Sequence, residues 1–466
     1  MNRTSQCQNC STVLMGCVIF LVALNLRPAI VAVGPLLSDV GATFGWGESL
    51  QGLLGALPLL AFALFSIFVS SITAKLGIDR VLFWALVVLA GGCLIRSLLG
   101  EGAVWLGTLL IGASIAAGNV LAPAIVKRDF VDHVSFATGA YSACVTSGSA
   151  LAGLTASAAA DALGGWQPAL ALWALPALAA ALLWLARSRY LRMLDRSANS
   201  QTARPFHAAV GSDAPKANEK KTTQASATDA KRENGTKAKP ESTSHPKPTA
   251  RHKQLGQYAE PAQTKEGKRS EQPLLSLLRK PSTWFVTLFM GLQSAAFYTF
   301  CNWLPSIAVS AGFTSGEAGL HLFIFQVLGI FSGLAIPRFM YVRNNQICAG
   351  VLASAPLLIA SAGWLFAPRL SLLWSVFGGI GQGASLVVAL TLISLRGSTH
   401  AETVALSGFA QSLGYFIAAC GPFAFGAIVE ATSAFALSLC FMAALALAQC
   451  AVAVLAGRAP QKGKTR

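Results

Sequence analysis

The stretch Ser433–Ala456, SAFALSLCFMAALALAQCAVAVLA, contains no charged residue. A helix rises about 1.5 Å per residue and a bilayer's hydrocarbon core is about 30 Å thick, so about 20 such residues cross it. Working outward from this run, the chain repeats the pattern. Comparable runs stand at 12–37, 49–71, 80–99, 103–126, 135–158 and 167–187, and then at 282–308, 317–339, 346–366, 370–393 and 403–428. With 433–456 they make twelve, six before and six after a polar stretch at the middle of the chain. The whole sequence of 466 residues is 54% hydrophobic and 12% charged, with a mean hydropathy of +0.57. A soluble domain carries roughly a quarter charged residues. The fold class expected is therefore an all-α membrane protein, with twelve transmembrane helices in two pseudo-symmetric six-helix bundles.

The charge distribution orients these spans. Lys75 and Arg80 follow span 2, Lys127 and Arg128 follow span 4, and Arg187, Arg189, Arg192 and Arg196 follow span 6. Arg338 and Arg343 follow span 8, Arg396 follows span 10, and Arg458, Lys462, Lys464 and Arg466 close the chain. The alternate loops hold Asp39, Glu48, Glu101, Asp161, Glu317 and Glu430, with Arg369 as the main exception. Basic loops face the cytoplasm, so both termini are expected there. This topology accounts for the formal net charge of +16 better than a nucleic-acid partner does, and none is expected.

Residues 197–272 differ in kind. They are rich in Lys, Thr, Ala, Ser and Pro, nearly free of large apolar residues, and carry more Lys and Arg than Asp and Glu. Such a segment buries too little surface to offset its ordering entropy. The expected organisation is a bundle over 1–196, a disordered basic cytoplasmic insert over 197–272, and a second bundle over 273–466. The ten cysteines lie mostly inside apolar runs (Cys17, Cys93, Cys144, Cys301, Cys420, Cys440) and read as small packing residues. Cys7 and Cys10 form a CxxC without a second pair, so no metal site and no cofactor is expected.

Arg27 is the sharpest functional signal. It lies deep in span 1, where a charge costs several kcal/mol unless it meets a polar cavity or a partner. Pro28 removes a helical hydrogen bond beside it. The planar guanidinium suits a small anion or a planar polar solute, the alternative being a structural arginine capped by carbonyls. Arg96, near the outer end of span 3, reads either as an interface anchor or as a cavity residue. No acidic residue sits midway along a span, which argues against the commonest proton relay and against a cation substrate. His321, at the outer end of span 8, reads as an interfacial polar residue or as a titrating group. The uncharged polar residues Asn25, Asn119, Gln293, Ser294, Tyr298, Asn302, Gln326, Gln382 and Gln411 are each either helix–helix contacts or solute ligands. Ser294, Tyr298 and Asn302 follow an i, i+4, i+8 line on one face of span 7. Small residues mark spans 5 and 11, among them Gly139, Gly148, Gly408 and Gly414, and permit close packing or sliding. The halves echo each other weakly, Leu26-Arg27-Pro28-Ala29-Ile30 against Trp303-Leu304-Pro305-Ser306-Ile307.

Several strings carry a family likeness. They are Leu24-Asn25-Leu26-Arg27-Pro28-Ala29, Leu57-Pro58-Leu59-Leu60-Ala61-Phe62, Gly118-Asn119-Val120-Leu121-Ala122-Pro123, Gly381-Gln382-Gly383, and the run Ala405 to Tyr415. The sequence resembles the major facilitator superfamily, in its cyanate permease and nitroimidazole transporter (CynX/NimT) branch, over nearly all the chain except the insert. The resemblance implies a monomeric secondary transporter, not an enzyme. It would move a small anionic or planar polar solute such as cyanate by alternating access. Arg27 would be the anchor, Asn25, Asn119, Gln293, Ser294, Tyr298, Asn302, Gln382 and Gln411 candidate ligands, and Pro28 and the four glycines candidate gating or packing positions. Proton coupling is the superfamily's habit, though the missing mid-span carboxylate weighs against the usual relay. The alternatives are an exporter of a neutral heteroaromatic compound, or a transporter-like sensor signalling through 197–272. The branch pattern is altered after span 2, where Ala74 stands in place of an acidic residue, so a charge lock there is in question. A lipid-acting enzyme is a further rival, with Asp129, Asp132 and His133 as its only grouped candidates.

Overall fold

The computed structural model describes residues 18–130, 134–202, 277–340 and 345–458, without the side chains of 70, 123, 134–136, 194–202, 400 and 401. The insert beyond Thr202, the Cys7–Cys10 pair, Asp132 and His133 lie outside the described residues. Among the described residues twelve helices are long and apolar enough to cross a membrane. They are α1 (Val18–Phe44), α2 (Glu48–Leu76), α3 (Ile78–Leu98), α4 (Glu101–Asp129), α5 (Val134–Leu163) and α6 (Trp166–Met193). After the insert come α7 (Pro281–Ser310), α8 (Ser315–Ala335), α9 (Ile347–Phe366), α10 (Ser371–Arg396), α11 (His400–Thr432) and α12 (Phe435–Gly457). No strand occurs among the described residues. Large apolar side chains such as Ile67, Trp84, Leu175, Leu182, Phe331 and Phe366 stand exposed. An apolar surface of this extent is stable only against lipid, so the chain is a multi-pass membrane protein.

The expected spans coincide with the helices, except that α1 runs on to Phe44. It does so as a broken helix: turns at 26–27 and 32–33 flank Pro28–Val31, and a 3-10 turn, Gly34–Leu36, precedes Leu37–Phe44. Pro28 and Pro35 each withhold a backbone donor there.

The basic ends of the helices carry ion pairs within each half. Arg128 of α4 grips Asp79 of α3 with two bonds of 3.1 Å and also bonds Asp129 at 2.8 Å. Arg187 of α6, over the Trp184 ring at 4.4 Å, pairs with Asp129 and lies 3.6 Å from Asp79. Asp79, five positions beyond Ala74, thus braces one half internally. In the other half Lys280 pairs with Glu402 at 3.0 Å, and Arg396 donates to Gln346, Ala456 and Arg458.

Contacts between the halves gather at the acidic end. The Glu430 carboxylate of α11 accepts from the backbone N–H of Ser49 at 2.8 Å, so it serves the first turn of α2, whose N-cap, Gly47, has no side chain to do so. Gly34 lies against the Cys301 carbonyl, Gly52 against the Pro422 carbonyl, and Gly426 against the Glu48 carbonyl. Gly319 of α8 meets Gly153 of α5 in the same way. A β-carbon at Gly34 would collide with the α7 backbone. At the basic end α5 and α8 part around a cavity. The halves therefore touch through backbone at the acidic end and part around a cavity toward the basic end.

Gly34→Val should keep the acidic end from closing. We expect purified Gly34→Val to retain its helical circular-dichroism spectrum and to lose transport by at least about tenfold, a cost of about 1.4 kcal/mol on the closed state. A cysteine placed at Ser306 should become more reactive to an impermeant thiol reagent from that side.

Candidate functional site

The break in α1 sets Arg27 at the N-terminus of the turn Pro28–Val31, with its own carbonyl accepting from Ile30 and Val31. Its guanidinium lies over the Phe297 ring at 4.9 Å and the Tyr298 ring at 5.9 Å, both on α7. Phe62 of α2 extends this aromatic wall, 6.4 Å from Tyr298 and 5.2 Å from Tyr415 of α11, ring centre to ring centre. Tyr141 of α5 and Tyr415 also stand within electrostatic reach of Arg27, as does the Cys301 thiol. Among the described residues no acidic side chain pairs with Arg27 and no oxygen accepts from its guanidinium. Among them the hydroxyls of Tyr141, Tyr298 and Tyr415 likewise have no partner, that of Tyr141 being fully buried. One cation and three phenols from four helices thus converge with their hydrogen-bonding capacity unspent.

A separate cavity of ≈ 440 Å³ lies between the halves, toward the basic end. Thr138, Gly139, Ser142 and Thr146 of α5 face Gly329, Gly333 and Leu334 of α8 and Gln382, Leu386 and Thr391 of α10 across it. None of its lining residues is charged. Gln382 is 4% exposed, and its amide has no protein hydrogen-bond partner while lining the cavity. Close packing of Gly383 on the Gly329 backbone brings α10 near enough to α8 for this.

The other expected residues divide. Gln293 donates to the Met290 carbonyl and to Ser294 at 2.6 Å, so both amide and hydroxyl are used within α7. Asn25 donates to the Leu21 carbonyl and Gln411 to Ser407, each within its own helix. Asn302, one turn beyond Tyr298, packs on Gly55 of α2 with its amide nitrogen buried and unpaired. Asn119 is half-buried on α4, one residue from Gly118, which packs on Leu26. Gln326 donates weakly to Cys301 at 3.5 Å. Gly148 packs on the Leu24 carbonyl and Gly414 on Met290, whereas Gly408 is exposed with open space around it. For two residues burial removes one of two open readings. Arg96, read as an interface anchor or a cavity residue, is 1% exposed and reaches no interface, because Gly107 of α4 admits its backbone so closely that the side chain is enclosed. His321 is 2% exposed, with Phe313 and Trp364 against its ring, and not interfacial. Tyr141, Tyr415, Phe62 and Phe297 went unread. The chain has only six tyrosines, and their scarcity within apolar runs is the signal that points to two of these.

The Major Facilitator Superfamily model matches residues 15–419. The chain belongs to this superfamily. Members of it are transporters, not enzymes. The chain is 31% identical over 442 residues to a 2-nitroimidazole transporter of Escherichia coli (strain K12), covering 94% of each. It is 22% identical over 413 residues to the cyanate transport protein CynX of the same organism, covering 88% of each. Among solved structures it superposes, with a TM-score of 0.64 and 14% identity, on a bacterial homologue of the human lysosomal transporter Spinster, over 96% of this chain and 97% of that one. The superfamily's two six-helix halves are those described above, and the chain is a superfamily transporter of the CynX/NimT branch.

Gln382→Met keeps the side chain's length and removes its hydrogen bonds. We expect unchanged thermal stability and a KM for a polar solute raised about two- to tenfold, the worth of about 0.5–1.5 kcal/mol for a neutral hydrogen bond. Uptake kinetics in proteoliposomes measure it.

Proposed function

We propose that this superfamily member is a secondary active transporter of a small anionic or planar polar solute, with Arg27 as the anchor. The observation that carries the reading is the guanidinium with no protein acceptor, set among three phenol hydroxyls that also lack partners. Water or a solute has to supply what these groups lack, because an unpaired polar group away from water costs about 1–3 kcal/mol. A planar anion offers in-plane oxygens to the guanidinium and a π-face to Phe297, Tyr298 and Tyr415. The printed names of the two relatives, one for a nitro-substituted heteroaromatic and one for a small anion, describe solutes of this chemistry. Asn119, Asn302 and Gln382 are the remaining polar side chains we assign to the path, and Gln293, Ser294, Asn25 and Gln411 to helix structure.

The basic ends of the helices face the cytoplasm in this reading, which puts both termini there, in a bacterial inner membrane, and makes the described state inward-open. One chain encloses the whole path, so it works as a monomer. One observation favours a second solute class: the cavity toward the basic end has no charged lining residue, which suits a neutral heteroaromatic compound.

Proteoliposomes loaded through labelled cyanate, 2-nitroimidazole and a panel of short carboxylates test this, comparing wild type with Arg27→Gln. A charge-assisted hydrogen bond is worth about 1.5–3 kcal/mol, so kcat/KM for the transported solute should fall about ten- to hundredfold. A folded Arg27→Gln that transports every solute as wild type does overturns the anchor role.

A further inference from the structure

Arg96 is a buried cation that the solute path does not touch. It stands at the acidic end of α3, and no carboxylate pairs with it among the described residues. It makes one hydrogen bond, from Nη1 to the Ala29 carbonyl at 2.6 Å, while Nε and Nη2 are buried without partners. Packing alone does not call for such a residue, since removing a guanidinium from water costs several kcal/mol and an apolar side chain would fill the space better. The identity of its acceptor is informative. In a regular helix the Ala29 carbonyl would receive the N–H of Val33, but that N–H turns to Ile30 instead, at 3.2 Å. The break therefore frees the Ala29 carbonyl, and a freed carbonyl in an apolar interior needs a donor. Ala29 is two residues from Arg27, inside the single turn that Arg27 opens.

We propose that Arg96 is the positioning residue for Arg27. By holding the Ala29 carbonyl it fixes the short turn Pro28–Val31, and that turn aims the Arg27 guanidinium across the gap at Phe297 and Tyr298 of the other half. Gly107 is the complementary feature, since any side chain there would push α4 off the Arg96 backbone and carry Arg96 away from α1. A lysine at 96 keeps one charged donor within reach of the carbonyl, and a methionine keeps the packing and loses the donor. The inference rests on Arg27 being the solute anchor.

Two measurements on purified, reconstituted protein test it. The first needs no solute: phenylglyoxal labelling read by peptide mass spectrometry. Arg27, half-buried in the gap, should label and Arg96 should not. Arg96→Met should change the Arg27 labelling rate at least about threefold, an altered exposure worth about 0.65 kcal/mol, and Arg96→Lys should hold it near wild type. An unchanged rate in a folded Arg96→Met overturns the proposal, as does a folded Arg96→Lys that behaves like Arg96→Met. The second is a double-mutant cycle on KM and kcat for 2-nitroimidazole and cyanate uptake. Arg96→Met should raise KM more than it lowers kcat, and adding Arg27→Gln should worsen it by no more than about twofold, whereas independent roles would multiply. Multiplying effects overturn the positioning role. If instead Arg27→Gln alone transports normally, the anchor reading fails, and the labelling rates still judge whether Arg96 places Arg27. Should Arg96→Met not yield monodisperse protein, Arg96→Lys carries both measurements: a wild-type labelling rate and KM are expected, and a shift in either overturns the proposal.

Discussion

A guanidinium cannot stay midway along an apolar helix without something to replace the water it gave up, and much of this structure follows from how Arg27 meets that condition. The protein gives it π-faces and no anion. Cation–π contact with Phe297 and Tyr298 is worth about 0.5–2 kcal/mol, well short of the desolvation cost. The deficit leaves a standing demand for water or a negatively polarised solute at that point. A carboxylate in place of Tyr298 would satisfy Arg27 permanently and would close the site to anything else.

The same demand explains why α1 is broken. An unbroken helix would point residue 27 wherever the 3.6-residue period put it and would keep the chain from bending toward α7. Pro28 and Pro35 release carbonyls on either side of a four-residue turn, which lets the segment after Gly34 press against the Cys301 carbonyl. The break thus serves two ends. It seats the cation, and it supplies a glycine-thin contact that closes the acidic end. Where the halves meet without side chains, at Gly34, Gly52, Gly319 and Gly426, they touch through backbone and little has to be repacked when they separate. The ion pairs, by contrast, lie inside each half. Arg128 and Arg187 lock α3, α4 and α6 together, and Lys280 and Arg396 do the same in the second half, so each half moves as a body. Among the described residues charge reaches across the halves at Glu430 on Ser49, at the acidic end, and at Arg27 over Phe297 and Tyr298.

The twelve helices were readable because a bilayer admits so few solutions: an apolar run of helix length has little else to be. Arg27 was readable for the same reason, as an expensive exception. What the sequence did not disclose is who faces whom. Tyr141 and Tyr415 are ordinary members of apolar runs until α5 and α11 bring them to α1. Conversely Gln293 and Gln411, polar and at the right depth, spend their amides within their own helices, on Met290 and the adjacent Ser294 and on Ser407, an outcome set by rotamer and not by position. Arg96 shows the limit most clearly. Its place near a helix end left an anchor at the water boundary and a cavity residue equally open, and only the close approach of Gly107 reveals it as enclosed. Helix-end position predicts exposure when neighbours are bulky, and glycine neighbours cancel the rule.

Two polar environments then lie in series between the halves. Next to Arg27 the groups are a cation, phenols and aromatic faces. Toward the open end, around Gln382, they are hydroxyls and one amide with no charge. An anion moving toward Arg27 gains Coulomb energy steadily in a medium of low dielectric, and leaving toward the uncharged cavity costs the same amount. A neutral planar solute meets a flatter profile, trading the hydroxyls and amide of one region for the π-faces and phenols of the other. Release of a tightly held anion would therefore need Arg27 to be satisfied by something else, such as water, as the solute departs.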